Sequence, residues 1–157
     1  MSGLDLATSQ TEWPTTPVPD AVKKFIDEFF IVMDNNTPDA GERLAADFFT
    51  PTASFTITGG TYVGTEEIKI SRIAAWKVVT SRAHRYLKVY TCKEDASDLL
   101  TIGLADMGLI NGKTLQGNFI SRIVFEDVNA PYGELRMKLF QAWGDSGPLI
   151  RALQEGQ

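Results

Sequence analysis

The spacing of apolar residues changes once along this chain, and that change limits the folds it can adopt. Up to residue 81 the apolar residues recur at helical intervals in three segments, 20–36, 37–49 and 65–81. From residue 84 they alternate at the two-residue interval of strands in four segments, 84–92, 98–110, 114–125 and 134–143. The intervening stretch 50–64 reads as a strand, a Gly-Gly turn and a short strand. Helices therefore come first, and the later strands complete a sheet.

Local signals mark where these elements begin and turn. Asp20 can cap the first helix, and Thr37 precedes Pro38 at the start of the second, where a missing N–H costs nothing. Asn111 and Gly112 lie between two strand segments, and both residue types tolerate the positive φ of a two-residue hairpin turn. Antiparallel pairing is therefore predicted for the later strands.

The predicted fold class is α+β, a curved antiparallel sheet of about six strands wrapped around three helices. Such a sheet buries one face of each long strand and forms a cone with an interior pocket, a natural place for a ligand. Residues 1–18, which are polar and contain Pro14 and Pro17, are predicted to form a flexible N-terminal arm. Residues 19–157 are predicted to form a single α+β barrel domain.

Composition argues against several classes of partner. The 157-residue chain has a net charge of -5 and a pI of about 4.9, and its Lys and Arg residues are scattered, which argues against nucleic acid or an anionic membrane surface. No apolar run approaches the roughly 18–20 residues that span a bilayer, and the N-terminus does not resemble a signal peptide. Cys92 is the only cysteine, which fits a reducing, cytoplasmic location. No metal and no cofactor is expected, because neither a ligand cluster nor a nucleotide-binding motif is present.

His84, the only histidine, is the side chain best suited to proton transfer near neutral pH. The alternative is a solvated histidine at the beginning of a strand. Several aromatic residues can line the predicted pocket or simply form the core, among them Tyr86 and Trp76. Gln141 can bind a substrate carbonyl or lie on a dimer face.

Two charged residues interrupt the later strands. Asp106 shares a strand face with Ile102 and Leu104, and Arg122 alternates with apolar neighbours in the same way. Alternation does not decide whether such a face lines a cavity or is the wet outer side of the sheet. Asp106 and Arg122 can contact a substrate, but the favoured interpretation is that they pair with each other across neighbouring strands.

Over residues 20–146 the chain resembles the SnoaL-like branch of the nuclear-transport-factor-2-like superfamily. The passage “FFTPTASFTITGGTYVGTEEI” resembles the family's strand, glycine and helix, and “SRAHRYLKVY” its strand that opens with histidine. “LTIGLADMGLINGKT” resembles its hairpin and “ELRMKLFQAWGD” its closing strand, and fungal proteins of this branch contain similar passages. The superfamily includes dehydratases, isomerases, cyclases, epoxide hydrolases and inactive carriers, so the resemblance specifies the fold better than the function.

The resemblance extends to a pair of residues in the dehydratase and dehydrochlorinase members. Those enzymes have an Asp at the end of the first helix that orients a His, and the His removes a proton. The matching positions here are Asp34 and His84, while Asn118 in “QGNFISR” matches an Asn of the dehydratase. The dehydratase also has a second histidine, for which this chain offers only Asp106 or Met107.

The function implied by the resemblance is a cofactor-independent lyase or isomerase acting on a small, largely apolar molecule, polyketide- or terpenoid-like. His84 is then the base and Asp34 its partner, with Asn118 or Gln141 polarising the substrate. The alternative is a non-catalytic small-molecule-binding or dimeric interaction module of the same fold. A homodimer is expected from the resemblance, and because the last strands carry apolar residues on both alternating sets.

Overall fold

Four α-helices and six strands make up the part of the chain described by the computed structural model, residues 5–131 and 133–155. Their order is α1 (Asp20–Met33), α2 (Ala40–Arg43), β1 (Phe49–Ile57), β2 (Gly60–Val63), α3 (Gly64–Ala75), β3 (Val79–Thr91), β4 (Asp98–Leu109), β5 (Thr114–Phe125), β6 (Met137–Gly144) and α4 (Gly147–Gln154). A π-helical turn, Leu44–Phe48, joins α2 to β1. Across the described ranges, no helix combines the length and apolarity that a bilayer crossing requires.

All six strands belong to one sheet in the order β2-β1-β6-β5-β4-β3. The predicted α+β fold class is confirmed, but the structure corrects one detail, because β1 and β6 are parallel while the other neighbours are antiparallel. The direction of β6 is set by its antiparallel pairing with β5. Its parallel pairing with β1 therefore follows from the order of the strands in the sheet, and the local sequence of neither strand predicts it.

The helices cover one face of the sheet, here called the inner face, and α1 supplies the centre of the core. Phe25 and Phe29 of α1 are buried, and the Phe29 ring lies 5.1 Å from that of Phe140 in β6. On β4 and β5 the inner-face residues Leu99 and Ile123 are buried. The other alternating set forms the outer face, and its large apolar residues are exposed: Leu100, Ile102 and Ile120.

Element boundaries differ from the prediction in ways that affect the site. The second predicted helix is reduced to one short helix and a π-helical turn, and a fourth helix occupies the amphipathic C-terminal tail. The third helix ends at Ala75 rather than near residue 81, because the β-branched Val78 and Val79 lead into a strand. His84 therefore lies within β3 and not at its beginning, as the sequence had suggested.

Glycine is needed at two positions, at Gly112 for its backbone conformation and at Gly103 for lack of space. Gly112 adopts a φ of 81° in the β4–β5 hairpin, so the predicted hairpin is confirmed. The predicted two-residue turn is not, because Asn111 has no positive φ and β4 ends at Leu109 while β5 begins at Thr114. A Cβ on Gly103 of β4 would lie 2.5 Å from the Phe119 ring and 2.8 Å from the carbonyl oxygen of Arg85. Glycine at 103 therefore allows the Phe119 ring to pack directly on the β4 backbone.

The described part of the predicted arm, from residue 5, lies along the free edge of β3. The Tyr86 N–H donates to the carbonyl of Ala7 at 2.9 Å, and Glu12 exchanges backbone hydrogen bonds with Leu87 and Val89. The backbone N–H and hydroxyl of Thr8 also donate to Asp27 of α1 (2.8 and 2.9 Å). This segment was expected to be flexible, but an edge strand offers unpaired backbone groups, and the segment binds them.

Candidate functional site

Asp34 and His84, which are fifty positions apart in the sequence, meet where the end of α1 contacts β3. Asp34 Oδ1 lies 2.5 Å from His84 Nδ1, and Asp34 Oδ2 accepts the backbone N–H of the same residue at 2.8 Å. Each side chain is 15% exposed. Because a carboxylate only accepts hydrogen bonds, the ring proton lies on Nδ1, which leaves Nε2 of the neutral imidazole with its lone pair. The carboxylate thus fixes both the tautomer and the position of the ring.

Aromatic rings hold the imidazole on two sides. Phe30 precedes Asp34 by one helical turn, and its ring stacks on His84 with centroids 4.8 Å apart. Phe119 of β5 meets the His84 ring edge-on at 5.3 Å. Tyr86 contacts both phenylalanines, but it is buried and its hydroxyl bonds Ser121 at 2.6 Å. Burial raises the pKa of Tyr86 to about 12 against the effect of its hydroxyl hydrogen bonds, so this residue serves the core.

Two arginines that were not among the predicted site residues lie beside this pair. Arg72 of α3 is 6% exposed, and its Nη2 donates to the carbonyl of Met33, the residue before Asp34, at 2.7 Å. Arg82, two residues before His84 on β3, donates to the carbonyl of Ala75 at 2.8 Å. Burial, followed by the charge of Arg82, lowers the pKa of Arg72 to about 10, while the Asp34 carboxylate acts in the opposite direction.

Trp76, which was predicted to contact a substrate, is the third member of this group. The Arg82 guanidinium lies over its ring, 4.9 Å from the centroid. Its indole Nε1 is buried without a hydrogen-bond partner among the described residues, as are Nε and Nη1 of Arg72. We refer to Arg72, Trp76 and Arg82 as the cationic cluster. A signal for Arg72 was present in the sequence, since it follows the buried Ile68 by four residues and so shares its helix face.

Two cavities open on the described surface. One, of about 340 Å³, lies at the hairpin end of β3, β4 and β5, and most of its lining residues belong to the outer face: Ser81, Ala83, Asp106, Gly108, Thr114 and Gln116. The other, of about 300 Å³, lies between the π-helical turn and the β5–β6 loop and includes Glu126 and Arg136 in its lining. The first cavity therefore opens on the outer face, and neither cavity is lined by Asp34 or His84.

Four residues predicted to bind a substrate lie on the outer face instead. Asp106 and Asn118 belong to the alternating sets of β4 and β5 that face away from the helices, and Asn118 is exposed. Gln141 of β6 pairs in register with Arg122 on the same outer side. These positions are separated from His84 by the sheet itself, so the predicted placement of all four in one pocket with His84 is corrected.

The predicted pairing of Asp106 with Arg122 is also wrong. Asp106 accepts from Arg85 at 3.0 Å and from Gln116 at 2.7 Å. Arg122 donates through two nitrogens to Asp98, at 3.0 and 2.7 Å. Each charge thus takes the partner that the strand register brings closest, and sequence alternation does not fix that register.

The Asp98–Arg122 pair predicts a pH-dependent contribution to stability. Hydrogen bonds from Arg122 lower the pKa of Asp98. A lowered folded-state pKa stabilises the protein above the unfolded value, about 3.9, and the contribution is lost as the pH falls through the folded value. We expect Asp98→Asn to lower the unfolding free energy at neutral pH by on the order of 0.2–1 kcal/mol, since the pair is partly exposed. Urea unfolding of both proteins should show this difference shrinking below pH of about 4; a constant difference would contradict it.

Comparison with known proteins identifies the fold. No family model and no curated protein matches the sequence. Among solved structures, the chain is similar to a hexachlorocyclohexane dehydrochlorinase from Novosphingobium barchaimii (18% identity, 80% of this chain and 84% of that one, TM-score 0.61). It is also similar to a protein provisionally described as a scytalone dehydratase from Novosphingobium aromaticivorans (14% identity, 80% of this chain and 82% of that one, TM-score 0.55). A third similar structure is that of a hypothetical protein with a ketosteroid isomerase-like fold from Catenulispora acidiphila, solved in complex with trimethylamine (10% identity, 86% of this chain and 92% of that one, TM-score 0.63).

These similarities define the class of structure. The chain has the nuclear-transport-factor-2-like fold, as the resemblance in its sequence had predicted. Structures of this fold include a dehydrochlorinase and a protein solved in complex with trimethylamine. Among the described residues no group of three or more His, Cys, Asp or Glu side chains could hold a metal ion.

Proposed function

We propose that this protein is a cofactor-independent lyase or isomerase, in which His84 removes a proton from a carbon atom of a small, largely apolar molecule. The observation that carries the proposal is the pair of hydrogen bonds that the Asp34 carboxylate accepts from the ring and the backbone N–H of His84. A carboxylate held in this way positions one tautomer and stabilises the imidazolium that forms when the ring accepts a proton.

The step itself requires little from the rest of the chain. Nε2 takes the proton, and the C–H electron pair either forms a double bond and expels a leaving group, or moves onto a neighbouring carbonyl oxygen. Loss of a leaving group is a lyase reaction. Return of the proton to a different carbon is an isomerisation. Asp34 is a positioning residue in both, because it touches His84 rather than the reacting carbon.

The test uses probes that report proton removal from carbon. 5-Nitrobenzisoxazole opens to a coloured cyanophenolate when a base removes its ring proton, and hexachlorocyclohexane loses chloride with a proton. We expect the purified protein to open the benzisoxazole faster than an equal concentration of free imidazole, because a positioned base has a higher effective concentration. A rate no greater than that of free imidazole with both probes would overturn the proposal.

A second candidate function is a non-catalytic binding module. The observation that favours it is the packing of Phe30 and Phe119 against the His84 ring, together with two cavities whose linings do not include His84. In such a module the Asp34–His84 pair would only join α1 to β3. One measurement separates the two functions. An enzyme turns over the probes and loses this activity when His84 is replaced, whereas a binding module does not turn them over at all.

We further propose that the protein is a homodimer formed through the outer face. Ile102, Ile120 and Trp143 lie opposite one another on three neighbouring strands, and all three are exposed. The ion pairs of Asp106 and Asp98 lie on the same face. An exposed apolar row bordered by charged pairs is typical of a protein interface.

Ultracentrifugation tests the dimer. The wild type is expected to sediment as twice the 17.3 kDa chain, and Ile120→Lys as a monomer, because a charge in the centre of the row would be buried without a partner. Ile73→Lys is the matched control, since Ile73 is 80% exposed and lies on α3 rather than on the outer face. A monomeric wild type at micromolar concentration would contradict the proposal.

A further inference from the structure

The free edge of β3 is shared by the Asp34 carboxylate and the N-terminal segment, residues 5–13. β3 is the last strand of the sheet, so β4 pairs with it on one side only. On the other side the His84 N–H donates to Asp34 Oδ2 at 2.8 Å, and the Tyr86 N–H donates to the Ala7 carbonyl at 2.9 Å. In an extended strand, residues two apart direct their N–H groups to the same edge. The carboxylate and the N-terminal segment therefore occupy successive positions along β3.

The N-terminal segment also supports β3 where its pairing with β4 is interrupted. The register with β4 shifts between Tyr86 and Lys88, so Leu87 is an extra residue of the kind found in a β-bulge. The Glu12 N–H donates to the Leu87 carbonyl at 2.9 Å, and the Glu12 carbonyl accepts the Val89 N–H at 3.0 Å. The segment therefore hydrogen-bonds β3 on both sides of this irregularity, close to the site.

The same segment is anchored on α1 through Thr8 and Asp27. The Thr8 N–H donates to Asp27 Oδ1 at 2.8 Å, and the Thr8 hydroxyl lies 2.9 Å from each carboxylate oxygen. Hydrogen bonds to a carboxylate are about twice as strong as those between neutral groups. Asp27 precedes Asp34 by about two helical turns, or about 10 Å, and so shares its face of α1. The N-terminal segment thus connects the two elements that supply Asp34 and His84.

The Asp34–His84 pair lies where α1 and β3 meet, and other contacts hold each element to a different neighbour. Arg72 of the cationic cluster holds the end of α1 to α3 by donating to the Met33 carbonyl, while β4 holds β3. The Phe30 ring joins α1 to β3 by stacking on His84, and the N-terminal segment joins them by hydrogen bonds. Hydrogen bonds weaken steeply when they are stretched or misaligned, so the pair depends on how firmly α1 and β3 are joined.

We infer that Thr8 and Asp27 are positioning residues for the Asp34–His84 pair, because they fasten the segment that joins α1 to the edge of β3. Without this anchor the pair keeps its own donors and acceptors, but the two elements separate more often. The consequence for geometry does not depend on catalysis. The consequence for turnover rests on the proposed function, in which His84 accepts a proton while Asp34 holds its tautomer.

The experiment measures amide hydrogen exchange by NMR on the whole chain. His84 is the only histidine, so labelling with nitrogen-15 histidine identifies the signal of the amide that donates to Asp34. In Asp27→Ala we expect this amide to exchange about tenfold or more faster than in wild type, because the hydrogen bonds that limit separation of α1 from β3 are lost. Alanine is also the best helix former, so α1 should remain intact.

Two substitutions of Thr8 give a milder test that stands even if Asp27→Ala does not fold. Thr8→Val keeps the shape and the backbone N–H but loses the hydroxyl, and we expect the His84 amide to exchange about threefold or more faster. Thr8→Ser restores the hydroxyl, so exchange should stay within about twofold of wild type. Equal exchange in the valine and serine variants would contradict a role for this hydroxyl.

Two controls distinguish positioning from a general loss of stability. Asp95→Ala removes a carboxylate that accepts the Ser97 N–H at 3.0 Å within the β3–β4 loop, and the His84 amide should stay within about twofold of wild type. The Ile123 amide, measured in uniformly labelled protein, belongs to β5, which is paired on both sides, and its exchange reports unfolding of the whole sheet. A merely structural role for Asp27 would accelerate the Ile123 and His84 amides by the same factor.

The outcomes separate this inference from the proposed function. Asp27→Ala is expected to lower kcat for benzisoxazole opening by about tenfold, with KM within about threefold, because Asp27 acts through the pair and not on the probe. Faster exchange at His84 alone, with no turnover by wild type, would contradict the enzyme and support the inference. Unchanged exchange at His84 in Asp27→Ala, an equal acceleration at Ile123, or an equal effect of Asp95→Ala would overturn the inference, whatever the turnover.

Discussion

His84→Gln is expected to lower the rate of benzisoxazole opening by about a hundred- to ten-thousandfold, the range found when a general base is lost. Glutamine approximates the size of the imidazole and keeps the backbone N–H that donates to Asp34, so the fold should survive. The rate is measured with purified protein at saturating probe, and circular dichroism confirms folding. Wild-type turnover by the variant would show that His84 is not the base.

Two asparagine variants refine this test. In Asp34→Asn the single amide oxygen has to accept the backbone N–H of His84, because that group can only donate. The amide NH₂ then faces Nδ1, which must become an acceptor, so the ring proton moves to Nε2 and the lone pair is lost. We expect a loss of about a hundredfold or more. The control is Asp106→Asn, the same substitution at a carboxylate on the outer face, and this variant should retain activity within about twofold.

Phe29→Ala is expected to lower the free energy of unfolding by about 3–5 kcal/mol, a large part of the total for a domain of this size. The side chain is 1% exposed, and its ring contacts those of Phe30, Phe48, Phe49 and Phe140. Removing it leaves a cavity between α1, β1 and β6 that the surrounding rings cannot fill by rotation alone. Urea unfolding followed by intrinsic fluorescence measures the difference.

Two controls separate cavity formation from a general sensitivity to substitution. Phe29→Leu keeps most of the buried volume and should lose less than Phe29→Ala. Ile73→Ala removes an apolar side chain that is 80% exposed, and it should change stability by no more than about 0.5 kcal/mol. A Phe29→Ala protein within about 1 kcal/mol of wild type would mean that this ring is not central to the core.

Local patterns in the sequence identified most of the elements, because periodicity and turn chemistry depend on neighbouring residues. Val22, Phe25, Ile26 and Phe29 recur at helical spacing, and all four are buried on α1. Asn111 and Gly112 form the hairpin between β4 and β5, where Gly112 has the positive φ that the turn needs. The α3 helix shows the limit of such patterns, since Ile70 and Ile73 are exposed while Ser71 and Arg72 are buried.

Alternation along a strand separates two faces, but it does not say which face meets the helices. Asp106, Asn118 and Gln141 were therefore placed in the pocket by resemblance or left undecided, and the structure puts them on the outer face. Register decides the ion pairs in the same way, because a shift of one residue moves each side chain to the other face. The parallel pairing of β1 with β6 is equally non-local.

The sequence by itself determined the α+β class, and its resemblance to a known family named Asp34 and His84 as a pair. Only the tertiary structure decided that their atoms meet, since the contact depends on how the end of α1 docks against the inner face of β3. The same docking brings Arg72 and Arg82 to this point, Arg72 from the α3 face that it shares with Ile68 and Arg82 from β3. Contacts between distant segments follow from packing of the whole core, and no short stretch of sequence contains that information.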